Sequence, residues 1–379
     1  MSNSTGASTS IRHKTVGSRV SLPSDIRKNN RRTVLRALYP DRWLSRADIA
    51  KTTGLSKVST SDVVADLIDD SLLVEGGFKP SSKPGKPALL VGMHTQSMCV
   101  MGIDLSEVGT VQGILTDLQG RVIARSSKAL APAQQLPLEP IVDLCNELTS
   151  QAPAPILGLG VATPGTVNEN GTVLAAPNLG WTDLNLAAEL TSRLGVQTYV
   201  TNDADSAAFG ERCFAQGPAN MIVVQIARGV GAGVLIDNHI VRGSHYVAGE
   251  IGHVVVDENG IPCACGKRGC LETLTSVPFL ESRIVEDPGN REDILAGAGE
   301  ALGAALSMPV ALINITDIVI SGPTSIVDTT MLNAVENTIN DRVHSRFIRS
   351  VHVHPTVLGT DAAALGSVAC VLRHQLGVL

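Results

Sequence analysis

The sequence is poor in charge and has no long apolar run. Of 379 residues only 17% are charged, against 44% hydrophobic. No uninterrupted apolar stretch reaches the ~18 residues of a membrane-spanning helix, so no membrane partner is expected. Met1 to Ser10 is small and polar with no apolar centre, which argues against a secretory signal; residues 1–19 read as a disordered tail. No internal repeat with a solenoid period is visible. Seven cysteines over this length do not form a disulfide scaffold. A reducing, cytoplasmic location is the expectation. What remains is a chain long enough for two or three domains with a well-buried core.

The charge is unevenly spread. Residues 11–92 carry a net +7 and residues 93–379 a net −13, which together give the −6 of the whole chain. A basic head on an acidic body fits a nucleic-acid-binding module fused to a ligand-binding one, although charge alone fits a solvated basic surface equally well.

Residues 20–92 read as a winged helix-turn-helix. Ile26, Val34, Leu35 and Leu38 supply the apolar face of a first helix that Pro40 ends. Ser45 caps a second short helix, with Ile49 and Ala50 inward and Gly54 at its close. Ser56 caps a third helix running to about Asp70, with Val58, Val63, Leu67 and Ile68 as its apolar positions. Leu72–Glu75 and Ala88–Val91 read as two strands. Gly76–Phe78 and the stretch 79–87 read as a basic wing loop between them. In such a unit the third helix offers its N-terminal end to base edges and phosphates. The candidate DNA contacts are therefore Ser56, Lys57, Ser59, Thr60 and Ser61 on the helix, with Lys83 and Lys86 on the wing. The same pattern also serves helical packing or oligomerisation domains that never touch DNA.

Residues 93–379 read as an α/β body. Val100–Leu105, Val111–Leu115 and Val122–Ala124 form an opening meander, and Ile141–Thr149 a helix. Ile156–Val161 is a buried strand leading into Ala162-Thr163-Pro164-Gly165, followed by a hairpin around 168–171. A helix over Leu186–Leu194 precedes the strand Thr198–Val200, which runs into Asn202-Asp203-Ala204-Asp205. Met221–Ala227 leads to a glycine-rich turn, Gly229 to Gly233. Ile318–Ile320 ends at Ser321-Gly322-Pro323, and Thr360-Asp361 opens a C-terminal helix through Leu372. Strands that end in Asp, Gly or Pro place polar groups where α/β sheets bind ligands.

The sharpest signal is His253, then ten residues on Cys263, Cys265 and Cys270. Three thiolates and one imidazole fill a tetrahedral zinc shell, and four protein ligands leave no open position, so one structural zinc per chain is expected. Gly266 and Gly269 let the chain turn tightly enough for Cys265 and Cys270 to reach one ion.

These motifs resemble the ROK family (repressors, open reading frames and kinases). Matching stretches are Gly102-Ile103-Asp104-Leu105, Gly158 to Gly165, Asn202-Asp203-Ala204, Gly249-Glu250-Ile251-Gly252-His253 and Cys263-x-Cys265-Gly266-x-x-Gly269-Cys270-Leu271-Glu272. The resemblance covers roughly residues 98–379 and implies a two-lobed, actin-like, sugar-kinase-like body. With a helix-turn-helix head it implies a transcriptional repressor of sugar metabolism. It further implies that Asn202, Asp203, Glu250, His253 and Glu272 line a pocket for a sugar, amino sugar, sugar phosphate or other small metabolite, and that Asp203 matches the catalytic base of family kinases. His253 can then serve zinc through one ring nitrogen and a ligand through the other.

The departures from that pattern lie on the ATP side. The kinases' Gly-Gly-Thr after the first Asp-Leu is Ser106-Glu107-Val108-Gly109-Thr110 here. Their second phosphate loop is Ala227-Arg228-Gly229-Val230-Gly231, and their later Gly-Gly pair is Ser321-Gly322-Pro323. A carboxylate beside a triphosphate repels it, so the expectation is binding without phosphoryl transfer, with Asp203 a vestigial base. Operator DNA, a small effector and further copies of the chain, as homodimer or tetramer, are the expected partners. The alternatives are an ATP-dependent sugar kinase using Asp203, and a protein–protein interaction module without a small ligand.

Overall fold

In the computed structural model the described residues are 23–78, 87–107, 109–130, 135–343 and 349–379. Lys83, Lys86, most of the wing loop and the tail over 1–19 lie outside them.

The head begins with α1 (Pro23–Leu38), followed by the two-residue strand β1 (Leu44–Ser45), α2 (Arg46–Thr53), α3 (Lys57–Asp69), β2 (Leu73–Phe78) and β3 (Leu89–Met93). The caps act as the sequence implies. Ser45 accepts the Asp48 N–H, Ser56 accepts the Ser59 N–H, and Gly54 closes α2 with a φ of +73°. That left-handed turn is open to glycine without a Cβ penalty. The strands pair in the order β1-β3-β2, completing the winged helix-turn-helix. Two expectations change here. Gly76 to Phe78 belong to β2, with a register irregularity between Glu75 and Phe78, rather than to a loop. Gly76 and Gly92 both lack a side chain because the Trp43 indole lies against them; a Cβ at either would stand 2.7 Å from its ring. Ile26 is 51% exposed and supplies no core face.

The first lobe is built on β4 (Cys99–Asp104), β5 (Thr110–Thr116), β6 (Val122–Ala129), α4 (Glu139–Ser150), β7 (Ile156–Thr163), a small hairpin sheet of β8 (Thr166–Val167), β9 (Val173–Ala176) and β10 (Trp181–Leu184), then α5 (Leu186–Leu194) and β11 (Thr198–Asn202). Its sheet runs β11-β7-β4-β5-β6, with β11, β7 and β4 parallel. The chain crosses to the second lobe through α6 (Asp203–Phe214). There it forms β12 (Met221–Ile226), β13 (Val230–Ile236) and β14 (His239–Ile240), the short helices α7 (Glu272–Thr275) and α8 (Val277–Glu286), the long α9 (Arg291–Ile313), β15 (Asp317–Ser321), α10 (Thr329–Val343) and β16 (His352–Pro355). The second sheet runs β14-β13-β12-β15-β16. The chain returns through α11 (Ala362–Gln375), which packs on α6 and on β7 and β4 of the first lobe.

The glycines expected to form a turn before Val234 do not all do so: Gly231 and Gly233 are inside β13, opposite Gln225 and Val223 of β12. At Gly233 a side chain would run into the Ala204 carbonyl at the start of α6. The turn itself is only Ala227 to Gly229, closed by the Ala227 N–H on the Gly229 carbonyl at 2.9 Å.

Helix α9 was not legible in the sequence because it is apolar nearly all round, with no contrast between faces. With the turn before it, it is long and apolar enough to cross a membrane, and half of its apolar window is buried in the protein. Gly299 and Gly303 let α10 approach closely, a Cβ on the first standing 2.6 Å from the Met331 carbonyl and on the second 2.8 Å from that of Val335.

One apolar cluster ignores the head–body boundary. Val34, Leu35, Leu38, Val63 and Leu67 of the head share it with Val100 and Ile114 of the first lobe and with Val368, Leu372 and Val378 at the C-terminus. The head is thereby packed onto the body, rather than tethered by a linker.

Candidate functional site

The N-terminal turn of α3 faces outward. Lys57 and Ser61 are exposed, and Ser59 is partly so. The Ser56 hydroxyl is engaged in the cap and in a 2.9 Å hydrogen bond with the Ser59 hydroxyl. Thr60 is a correction: it is 0% exposed and its hydroxyl donates to the Ser56 carbonyl at 2.9 Å, so it serves the interior of the head and cannot reach a partner. The reverse holds for Val58, read from the pattern as an apolar helix position. It is 72% exposed beside Lys57. A one-residue step along a helix turns a side chain by about 100°, and at the cap the apolar periodicity does not yet bind. Two arginines of α1 are turned toward the third helix: Arg27 pairs with Asp66 on α3 and Arg31 with Asp70, its C-cap.

The four metal-ligand candidates meet. The ligand atoms of His253, Cys263, Cys265 and Cys270 lie within 4.8 Å of one another. Cys263 Sγ is 3.7 Å from His253 Nδ1 and Cys265 Sγ 3.6 Å from Cys270 Sγ. A tetrahedral ion with metal–sulfur bonds of about 2.3 Å requires S–S edges of about 3.8 Å, so the set fits one such ion. The backbone makes this possible. Cys263 N–H donates to the Lys267 carbonyl and Gly266 N–H to the Cys263 carbonyl, a tight knuckle, and Gly266 has a φ of +89°. Isolated bridges join Val255 to Cys270 and Pro262 to Arg268. His253 ends a single helical turn, Ile251–His253.

This loop leads directly to Glu272, the first residue of α7, and Glu272 faces the other lobe-two loop. Its Oε2 accepts the Val230 N–H at 3.2 Å, and its Oε1 is 3.9 Å from Cys263 Sγ. Gly229 leaves no room for anything else there, since a Cβ would stand 2.8 Å from the same carboxylate. One main-chain donor of the segment 227–231 is thus already held by an acid.

Across the cleft, β4, β7 and β11 end side by side, so Asp104, Thr163 and Asn202 share one sheet edge. Asn202 has little capacity left. Its amide nitrogen donates to the Gly165 carbonyl at 3.0 Å and its oxygen caps α6 by accepting the Asp205 N–H at 3.0 Å. Asp203 follows as the first residue of α6. It keeps some exposed surface, yet protein surrounds its carboxyl, and burial first, then the charges of Asp104 and Glu250, push its pKa up to about 7. Asp104, which the sequence marks only as a strand end, is buried and pushed up to about 6, against the Ser106 donors that favour its charged form. Burial also raises Glu250, with Glu272 adding to the rise and His253 opposing it. Asp104, Asp203, Glu250 and Glu272 therefore form a band of acids across the cleft, suited to accepting from the hydroxyls of a polyol.

Similarity to known proteins places this architecture. The ROK family model matches residues 100–374. The xylose repressor of Bacillus spizizenii is 30% identical over 93% of this chain and 97% of its own length. The DNA-binding transcriptional dual regulator NagC of Escherichia coli is 27% identical over 89% of this chain and 90% of its own. Among solved structures, a ROK family transcriptional regulator described as a homologue of the E. coli Mlc protein superposes with a TM-score of 0.77 at 22% identity, covering 93% of this chain and 98% of that one. A ROK family glucokinase from Streptomyces griseus, solved with glucose and AMPPNP, matches the fold at a TM-score of 0.63 and 24% identity but covers only 72% of this chain. The chain, helix-turn-helix head included, belongs to the ROK family.

Proposed function

We propose that this protein is a cytoplasmic transcriptional repressor that binds operator DNA through its head and a small polyol metabolite in the cleft. It acts as a homodimer or tetramer, has no membrane partner and transfers no phosphate. The observation that carries the reading is the pairing of an exposed α3 N-terminus with a cleft whose sugar side is intact and whose ATP side is not. Glu107 stands exposed where the kinases have a glycine cradle. Relatives matched over most of their length and named as xylose repressor and N-acetylglucosamine repressor support it.

Lys57, Val58, Ser59 and Ser61 present the contacts to bases and phosphates, Ser56 anchors the helix end that faces the phosphate, and Lys83 and Lys86 reach the backbone from the wing. Asp203, Glu250, His253 and Glu272 hold effector hydroxyls. Asn202 fixes the Pro164-Gly165 turn and the start of α6 around them. The ion held by His253, Cys263, Cys265 and Cys270 is zinc, one per chain. When bound it is a closed structural centre that fixes the wall carrying His253 and Glu272.

The names of relatives, the xylose repressor and the N-acetylglucosamine repressor of Escherichia coli, supply the first effectors to try, xylose and N-acetylglucosamine. The test is a DNA-binding titration on operator sequences recovered by genome-wide capture, with and without each sugar and its phosphate. A recovered palindromic motif, bound more weakly in the presence of one of these ligands, is the expected result. Absence of any enriched motif rejects the regulator reading, and sugar phosphorylation abolished by Asp203→Asn puts the kinase in its place.

A further inference from the structure

We propose that a phosphate-bearing small anion binds in a second pocket, formed by α6, the segment around β14 and α11, separate from the cleft. The pocket has a volume of about 250 Å³ and is lined by Arg242, Arg373, His239, His374, Asp205 and Cys370. None of the cleft acids or metal ligands faces it. That volume is a little under the ~300–1,000 Å³ of drug-sized sites, which suits a small metabolite.

The pocket exists because α6 and α11 cross almost backbone to backbone. A Cβ on Gly210 would stand 2.6 Å from the Ala362 carbonyl, and one on Gly366 would collide with the Ser206 carbonyl. Beyond that crossing α11 carries Cys370, Arg373 and His374 along the pocket wall, and the chain leaving β14 brings Arg242 to face them.

The wall is cationic and the cations are uncommitted. Among the described residues neither Arg242 nor Arg373 forms an ion pair; Arg373 lies over the Phe209 ring at 5.2 Å, which orients the guanidinium without neutralising it. Both arginines act on the Cys370 thiol, each opposing the rise that burial causes there, which places their charges around one point. The two histidines are fixed in the same sense. His239 Nδ1 meets the Asp237 carbonyl at 2.7 Å and His374 Nδ1 the Cys370 carbonyl at 2.8 Å. A carbonyl only accepts, so each Nδ1 carries the hydrogen, and each Nε2 meets a ligand as an acceptor, or as a donor once the ring is protonated. Tyr199 stacks on the His374 ring with centroids 4.6 Å apart. The wall's single acid, Asp205, is raised to about 7 by burial and by Asp203 and Glu250, with Arg242 opposing, so it withholds much of its negative charge near neutrality.

Two guanidinium forks exceed what a carboxylate needs and match a compact dianion with several acceptor oxygens, and two imidazoles beside them add donors and charge when protonated. A phosphate group fits, with the remaining volume available to the few carbons of a phosphomonoester.

The test is isothermal titration of the full-length protein with inorganic phosphate and, separately, with glycerol phosphate and glucose 6-phosphate, in chloride buffer of matched ionic strength. Saturable binding in the millimolar range or tighter is expected for at least one probe. Tighter binding of a monoester identifies a phosphorylated metabolite, and equal binding identifies free phosphate. Arg242→Gln and Arg373→Gln should each weaken binding by about tenfold or more, with unchanged thermal unfolding in chloride. Arg373→Lys, which keeps the charge over Phe209 but loses the fork, should fall between. If Arg373→Gln unfolds, Arg242→Gln on its loop decides alone. Binding that survives Arg242→Gln at wild-type strength, or no binding of any probe at millimolar concentration, overturns the proposal.

Discussion

The Arg32 guanidinium of α1 donates to the main-chain carbonyl of His374 at 3.1 Å, joining the head to the last turn of α11. Arg36 donates to the Gly377 carbonyl a few residues on. Gly377 has a φ of +69° and packs under the Arg32 side chain, where a Cβ would crowd it. The C-terminal segment is therefore a clamp on the head. Gly377→Ala should cost about 1 kcal/mol or more through left-handed strain, read as a lower denaturation midpoint. Arg32→Ala should raise hydrogen exchange in α1 before it raises exchange in α9.

Metal content gives the second expectation. Protein purified without chelators should carry about one zinc per chain by elemental analysis. Cys265→Ser should lose it and lower the melting temperature, because metal-binding free energy becomes folding free energy in a site assembled by the fold.

The acids of the interlobe region set a pH dependence. Asp104, Asp203 and Asp205 are all raised, to about 6, 7 and 7. The folded chain holds protons there that the unfolded chain, with carboxyls near 3.9, has released. Their contribution to stability is present in full below about pH 4 and is lost as pH rises through about 6 to 7. Asp203→Asn removes one such penalty. It should stabilise the protein at about pH 8 by on the order of 1–2 kcal/mol and have little effect at about pH 4. Denaturant unfolding at the two pH values measures this.

On the head, Lys57→Ala should reduce the slope of log affinity against log salt by about one and weaken all DNA sites alike. Val58→Ala should leave that slope unchanged and relax preference at one base pair by about 1 kcal/mol, through loss of an apolar base contact. Filter-binding or anisotropy titrations over a salt series separate the two.

In the cleft, Glu250→Ala should preserve operator binding and remove the response to effector. Typical couplings of about 5–150-fold set the size of the response to be lost. Operator titration with and without the effector checks it; a mutant that still responds places the regulatory site elsewhere.

Much of this was legible locally. Caps at Ser45 and Ser56, the turn at Gly54 and the helix Leu186–Leu194 depend on residues within a few positions of one another, and all appear where the pattern implies. The Cys263–Cys270 knuckle is of the same kind, since its ligands and the glycines that let it turn are adjacent in sequence. Thr60 and Val58 depart from the local pattern because which side of a helix is inside is settled by what packs on it. Helix α9 leaves no mark in the pattern because uniform apolarity carries no period.

By itself the sequence determined the helix-turn-helix head, the α/β body and the four metal-ligand candidates, because each is written in residue type and short spacing; Asp203, Glu250 and Glu272 entered only as what the family resemblance implies. The tertiary structure decided three things that no spacing encodes. It laid α11 across the first lobe and beneath α1, so that head and body share one core. It set Glu272 on the Val230 N–H, 42 residues away in the chain. It brought Arg242 and Arg373 to one pocket from segments far apart in sequence. Each is a meeting of distant residues, fixed only when apolar burial has chosen how the helices cross.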